Sequence, residues 1–149
     1  MLDDLDVKIL KMLQKNGRIK RSEIAEQVGL SIPSVSERLY KLEDAGVIEG
    51  YYARLNRKAL GYDIMAFIIV VTDSSKHFKD FTAKIEKMPQ IIECYTVLGE
   101  GSHILKAVVK DSASLEKLLT LIQSWPGVVR TITNLILSTI KETTVLDIK

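Results

Sequence analysis

The chain has 149 residues, 46% of them apolar, enough to fill one ordinary core or two small ones without covalent staples. Its single cysteine, Cys94, cannot form an internal disulfide, which argues against a secreted disulfide scaffold and fits a cytoplasmic protein. The longest apolar run, Met65 to Val71, is far shorter than the ~20 residues of a membrane helix, and the acidic start MLDDLD is unlike a signal peptide. A net charge of +2 is too small to indicate nucleic acid, but its distribution is uneven. Six bases and no acid lie between Val7 and Ser22, whereas residues 61–149 hold ten of each sign.

The first half of the chain has a helical period. Leu5, Ile9, Met12 and Leu13 recur every three or four positions, and Asn16-Gly17 supplies a stop, so a helix is expected from about Asp4 to Lys15. A second, short helix follows over Ser22–Val28 with Gly29 as its C-terminal cap, and Ser31 caps a third that carries Pro33 in its first turn and runs to about Ala45. Two helices meeting across Gly29-Leu30-Ser31 form a helix-turn-helix pattern. Val47–Leu55 reads as a short extended stretch, and a boundary is placed near residue 60, giving units 1–60 and 61–149.

Beyond the boundary, strand and helix periods alternate: Tyr62–Thr72 extended, Ser75–Met88 helical, Ile91–Leu98 and His103–Val109 extended, Ser112–Ser124 helical, Val128–Thr139 extended. This β-α-β-β-α-β order predicts a ferredoxin-like sandwich, an α+β domain with both helices on one face of an antiparallel sheet; residues 140–148 are a candidate further edge strand. Ala66–Val71 and Leu135–Leu137 are apolar on both faces, so the face without helices is expected to pack on a second copy of the chain.

On a 100° wheel, Val35, Leu39 and Leu42 form the buried stripe of the third helix. Pro33, Ser34, Glu37, Tyr40 and Lys41 face away, flanked by Ser36 and Arg38. In a helix-turn-helix the second helix enters the major groove of double-stranded DNA N-terminus first. Here Ser31 to Arg38 would lie nearest the bases, Glu37 suits a cytosine amino group, and Lys20, Arg21, Arg38 and Lys41 suit phosphates. The competing reading is an interaction or metabolite-sensing module that does not bind DNA.

From Leu5 to Tyr52 the segments DLDVKIL, NGR, GLS, ERL and KLEDAGVIEGYYA resemble the leucine-responsive and asparagine-operon (Lrp/AsnC) transcriptional regulators. In the second half, IIECYTVLGEGSHILK, the Pro126-Gly127-Val128 turn, Thr131 and Thr133 are similar to the same family. The resemblance implies a winged helix-turn-helix, a hinge strand near Gly50–Leu55, and a ferredoxin-like domain (RAM domain) that pairs into homodimers and then octamers or similar rings. It also implies an amino-acid effector held where dimers meet, near Gly99, Glu100, Gly101, Ser102 and His103, with Thr131 and Thr133 adding hydroxyls; a glycine-rich turn can present backbone N–H groups to a carboxylate. Two positions depart from the family. Ser102 stands where amino-acid-binding members usually carry an acid, removing an ammonium partner, and Lys20 stands where a helix cap is common, so that either Ser22 substitutes as the cap or Lys20 adds a phosphate contact.

No enzyme is expected. His77, placed on an exposed helix face, and His103, at a strand start, have no nucleophile or ligand partner at a diagnostic spacing, and no phosphate loop, dinucleotide fingerprint or zinc pattern is present, so neither cofactor nor metal is anticipated.

Overall fold

The acidic start of the chain is a helix cap. In this computed structural model, which describes residues 2–149, the Asp3 carboxylate accepts from the Asp6 N–H at 2.8 Å and Asp6 accepts from the Asp3 N–H at 3.1 Å. This reciprocal pair opens α1 (Asp4–Lys15). Next come α2 (Arg21–Val28) and α3 (Ile32–Asp44). Gly29 ends α2 at φ 70°, where the absence of a Cβ makes the left-handed conformation cheap, and the Ser31 hydroxyl caps α3 by accepting from the Ser34 N–H at 3.3 Å. Ser22 lies inside α2 and does not cap it; the Glu23 carboxylate instead accepts from the Lys20 N–H at 3.4 Å.

Contacts divide the chain into two compact units, Met1–Arg54 with Lys141–Lys149, and Leu55–Ile140. In the first, Ile9, Ile24, Ala25, Val35 and Leu39 form the core, with Ile19, Leu30 and Ile48 packed against it. Val47–Leu55 makes no strand pairing among the described residues, because an extended segment needs a partner for its backbone groups and this unit supplies none. Its start folds back on α3, with the Val47 and Ile48 N–H groups donating to the Leu42 carbonyl and the Tyr51 hydroxyl donating to Glu43 at 2.9 Å. The expected edge strand over 140–148 is also absent. That segment lies in the first unit, where the Gln14 amide exchanges two bonds with the Leu146 backbone.

The second unit is β1 (Ile64–Thr72), α4 (Phe78–Glu86), β2 (Ile91–Thr96), β3 (His103–Val109), α5 (Ser112–Gln123) and β4 (Val128–Leu135). The four strands form one antiparallel sheet in the order β2-β3-β1-β4, the split β-α-β arrangement predicted from the element order. Several boundaries differ from the sequence reading, among them the end of β2 at Thr96 rather than Leu98. A 3₁₀ turn at Lys58–Leu60 closes on Gly61 and delays β1; a second at Ser75–His77 precedes α4; and β4 stops at Leu135, opposite Ala66, with one more bond from the Ile136 N–H to the Met65 carbonyl.

Ile68, Val70, Leu105 and Ala107 on one face of the sheet pack with Phe81, Ile85, Leu118 and Ile122 of the helices. Fully burying an aliphatic side chain of this size contributes about 1.5–3 kcal/mol. The other face carries the row Ile104–Ile69–Ile132 and, beside it, Lys106–Phe67–Asn134. Phe67 is 40% exposed on that face.

Candidate nucleic-acid interface and ligand loop

Val35, Leu39 and Leu42 are buried, so one side of α3 is fixed and the opposite side is displayed. Pro33, Glu37, Tyr40 and Lys41 are exposed, and Ser34 and Ser36 are partly so. Most polar groups there are already paired. The Ser31 and Ser34 hydroxyls are 2.8 Å apart, Arg21 donates to the Ser36 hydroxyl at 3.1 Å, and Lys41 pairs with Glu37 one turn away at 2.8 Å. The Lys41 ammonium holds the Glu37 carboxyl below its ordinary range. Surface pairs of this kind contribute little and exchange readily, so Glu37 and Lys41 stay available to a partner.

Arg38 flanks the buried stripe as expected, but its guanidinium has partners that the sequence reading did not foresee. Its guanidinium bonds Asp3 and Asp6, each at 2.7 Å, and so ties α3 to the N-terminal cap of α1. The Asp6 N–H and then Arg38 hold the Asp3 carboxyl below its usual range, and the Asp3 and Asp6 carboxylates raise Arg38. Arg38 therefore clasps two helices, a pairing that a phosphate contact would have to displace. Sequence reasoning missed it because its partners lie more than 30 positions away; the only local signal was their acidity in a helix cap. Lys20 and Arg21 remain exposed at the start of α2.

In the second unit, Gly99 and Gly101 have φ of 144° and 80°. A Cβ at Gly101 would lie 2.6 Å from Ile69 Cγ2 and 2.9 Å from the Val70 carbonyl, so only glycine lets the loop between β2 and β3 lie this close to β1. The Ser102 N–H donates to that carbonyl at 2.9 Å and is not presented to a ligand, contrary to the expectation for this turn. The Ser102 hydroxyl contacts Thr72 Oγ1 at 3.1 Å and His103 Nδ1 at 2.7 Å.

His103 is buried, not merely placed at the start of β3, with its ring centroid 4.5 Å from that of Phe81 and 5.5 Å from that of Phe78. Burial pushes its pKa down, which keeps the imidazole neutral. His77 is half-buried at the start of α4.

Gly101, Ser102 and His103 border a cavity of about 330 Å³. Thr131 and Thr133 do not. Thr131 pairs with Val70, which pairs with His103, so two strand spacings, roughly 10 Å, separate them. Thr131 Oγ1 instead accepts from Gln123 at 2.7 Å. Glu100 faces Arg130 at 3.3 Å, a contact between the loop and β4 that no sequence motif announced.

The model of the Lrp/AsnC ligand-binding domain matches residues 65–146, and that of a winged helix-turn-helix DNA-binding domain matches residues 2–49. The chain belongs to the Lrp/AsnC family. Among curated relatives, the HTH-type transcriptional regulator FL11 of Pyrococcus horikoshii is 39% identical over 99% of this chain and 97% of its own length. The leucine-responsive regulatory protein of Haemophilus influenzae is 37% identical over 99% and 91%. Among solved structures, a Neisseria meningitidis transcriptional regulator in complex with L-Met superposes with a TM-score of 0.92, at 34% identity and covering 98% of this chain and 96% of that one. Escherichia coli AsnC follows at 0.91, 30%, 97% and 98%.

These relatives are transcriptional regulators built from a DNA-binding and a ligand-binding domain, and this Lrp/AsnC chain has the same two parts. Among the described residues no helix is long and apolar enough to cross a membrane, and no group of three or more His, Cys, Asp or Glu is placed to hold a metal.

Proposed function

We propose that this regulator acts in the cytoplasm, without catalysis, as a homodimer or a larger ring such as an octamer, reading paired half-sites of duplex DNA with α3. The division of labour follows the two family matches: residues 1–60 bind DNA, and residues 61–149 assemble subunits and bind the effector. The observation that carries the DNA reading is the two-sided build of α3: Val35, Leu39 and Leu42 are buried on one side, while Pro33, Glu37, Tyr40 and Lys41 stand exposed on the other. Such a rod can enter a major groove with its Ser31–Ser36 end, with paired recognition helices about 34 Å apart. Lys20, Arg21 and Lys41 supply phosphate contacts, and Ser31, Pro33, Ser34, Ser36 and Glu37 approach the bases. Pairing through the helix-free sheet face would cover Phe67, Ile69 and Ile132.

The effector reading places a small metabolite, an amino acid in the Neisseria relative, at Gly99–His103, with Thr131 and Thr133 reached across a subunit junction. It shifts the assembly by binding one state better than another.

Fluorescence anisotropy of selected duplexes across a salt series tests the DNA reading. The affinity of the intact protein should fall steeply with salt, and Lys20→Ala and Lys41→Ala should each reduce the log–log slope by about one. A chain that binds no duplex at low salt would overturn the reading.

A further inference from the structure

Of the four Ile, Val and Leu side chains of α3, Val35, Leu39 and Leu42 are buried, whereas Ile32 is 50% exposed. The turn before the helix separates its two aliphatic residues: Leu30 packs against the core of the unit, and Ile32, the first residue of α3, does not belong to that cluster. Ile32 therefore adds little to the fold. Its place is the N-terminal end of α3, the end that meets bases when a helix-turn-helix docks.

The neighbours of Ile32 are polar and already engaged with one another. The Ser31 hydroxyl caps α3 and lies 2.8 Å from that of Ser34, and Ser36 receives Arg21 at 3.1 Å. Ser36 follows Ile32 by four positions, so the isoleucine and the arginine-bonded serine share one edge of the helix. Tyr40, 67% exposed, is the other large apolar surface of α3, but it lies about 12 Å farther along the axis, past the residues that enter a groove first. The major groove presents acceptors, amino donors and the thymine 5-methyl group. An isoleucine can bond neither of the first two, and covering a polar base edge with it desolvates that edge without return. The methyl group is its match. A β-branched side chain is also stiff at χ1, so Ile32 loses little freedom in making the contact.

We infer that Ile32 is a specificity-determining residue that reads thymine: in each half-site its side chain covers the 5-methyl group of one thymine in the major groove. The inference rests on the DNA reading of α3 above and deepens it by naming the base. Burying one methyl group in apolar contact is worth roughly fourfold in affinity per half-site.

The test uses the full chain and the tightest duplexes it selects from a random pool, with each thymine replaced in turn by deoxyuridine, which removes the 5-methyl group and keeps every hydrogen-bonding group. One thymine per half-site should be sensitive, the unsubstituted protein losing about fourfold in affinity there. Ile32→Ala should bind the all-thymine duplex more weakly and be indifferent to deoxyuridine at that position, while its response at every other thymine is unchanged. Ile32→Val, which keeps the branched carbon, should retain the sensitivity. Urea unfolding of Ile32→Ala should match that of the unsubstituted protein, since the side chain is half exposed. Selected half-sites without a sensitive thymine, or a deoxyuridine profile that Ile32→Ala leaves unaltered, overturn the inference and leave the DNA reading of α3 standing. Loss of all duplex binding by a folded Ile32→Ala, nonspecific binding included, also overturns it, because a base-reading contact acts on preference and not on the phosphate contacts. A protein that selects no duplex at all overturns both.

Discussion

Helix α3 and the β2–β3 loop carry the two candidate sites of this regulator, and they are built by opposite means. The helix displays side chains because a local period buries Val35, Leu39 and Leu42 and thereby fixes what faces out. The loop owes its shape to residues about 30 positions away: Ile69 and Val70 press on Gly101, while Thr72 bonds Ser102. A site written in local periodicity tolerates change at its surface. One assembled from distant strands is sensitive at its contact points, and the sharpest contrasts should appear where each unit depends on a glycine.

Gly101→Ala should show the largest effect, because it combines a left-handed backbone with a Cβ 2.6 Å from Ile69. A loss of about 3 kcal/mol is expected, read by urea unfolding through the fluorescence of Trp125, the single tryptophan, which lies in the core of the same unit. A change below about 1 kcal/mol would show that β1 yields to the loop. Gly29→Ala is the matched probe in the first unit. Its φ of 70° is equally left-handed, but nothing lies within 4 Å of the added carbon, so about 1 kcal/mol should be lost, followed by far-ultraviolet circular dichroism.

The next comparison is within the helix-turn-helix. Arg38→Ala should lower the melting temperature by freeing α3 from the α1 cap, yet leave the salt slope of duplex binding unchanged, whereas Lys20→Ala should do the reverse. A reduced slope for Arg38→Ala would mean that its guanidinium leaves Asp3 and Asp6 for a phosphate on binding.

Acid sensitivity should separate the units more gently. Burial depresses the His103 pKa below its ordinary 6.5, so the unfolded chain takes up a proton from that pH downward while the folded domain resists it. The contribution to stability is complete above pH 6.5 and declines as pH falls toward the folded value. The Trp125-reported midpoint should fall over that window, and His103→Phe should flatten the decline. Asp3, whose pKa is lowered from 3.8, acts only in stronger acid, so the first unit should hold steady through the same window.

Element type was largely legible before any coordinates. The boundaries of α1 and β3, the caps at Gly29 and Ser31, and the β-α-β-β-α-β order all follow from periods and cap residues that act over a few positions. The strand ends were not, since β4 stops where β1 ceases to pair with it and β1 waits for the turn at Gly61. The candidate site split the same way. That α3 has an outer side containing Glu37 and Lys41 is readable from a wheel; that Arg38 is occupied by Asp3 and Asp6 is not.

The sequence by itself determined the class of the protein: a helical unit followed by an α+β unit, a helix-turn-helix with a basic approach, and a glycine turn between two strands. These depend on propensities and spacings that operate within one element, where the chain is its own neighbour. The tertiary structure alone decided that Arg38 clasps α1, that the Ser102 N–H is spent on Val70, that Thr131 lies two strands from His103, and that a neutral histidine borders a cavity with one nitrogen unpaired. Hydrogen bonds and burial belong to pairs of groups, and which groups meet across 30 or more residues is settled only when the sheet closes and its core excludes water.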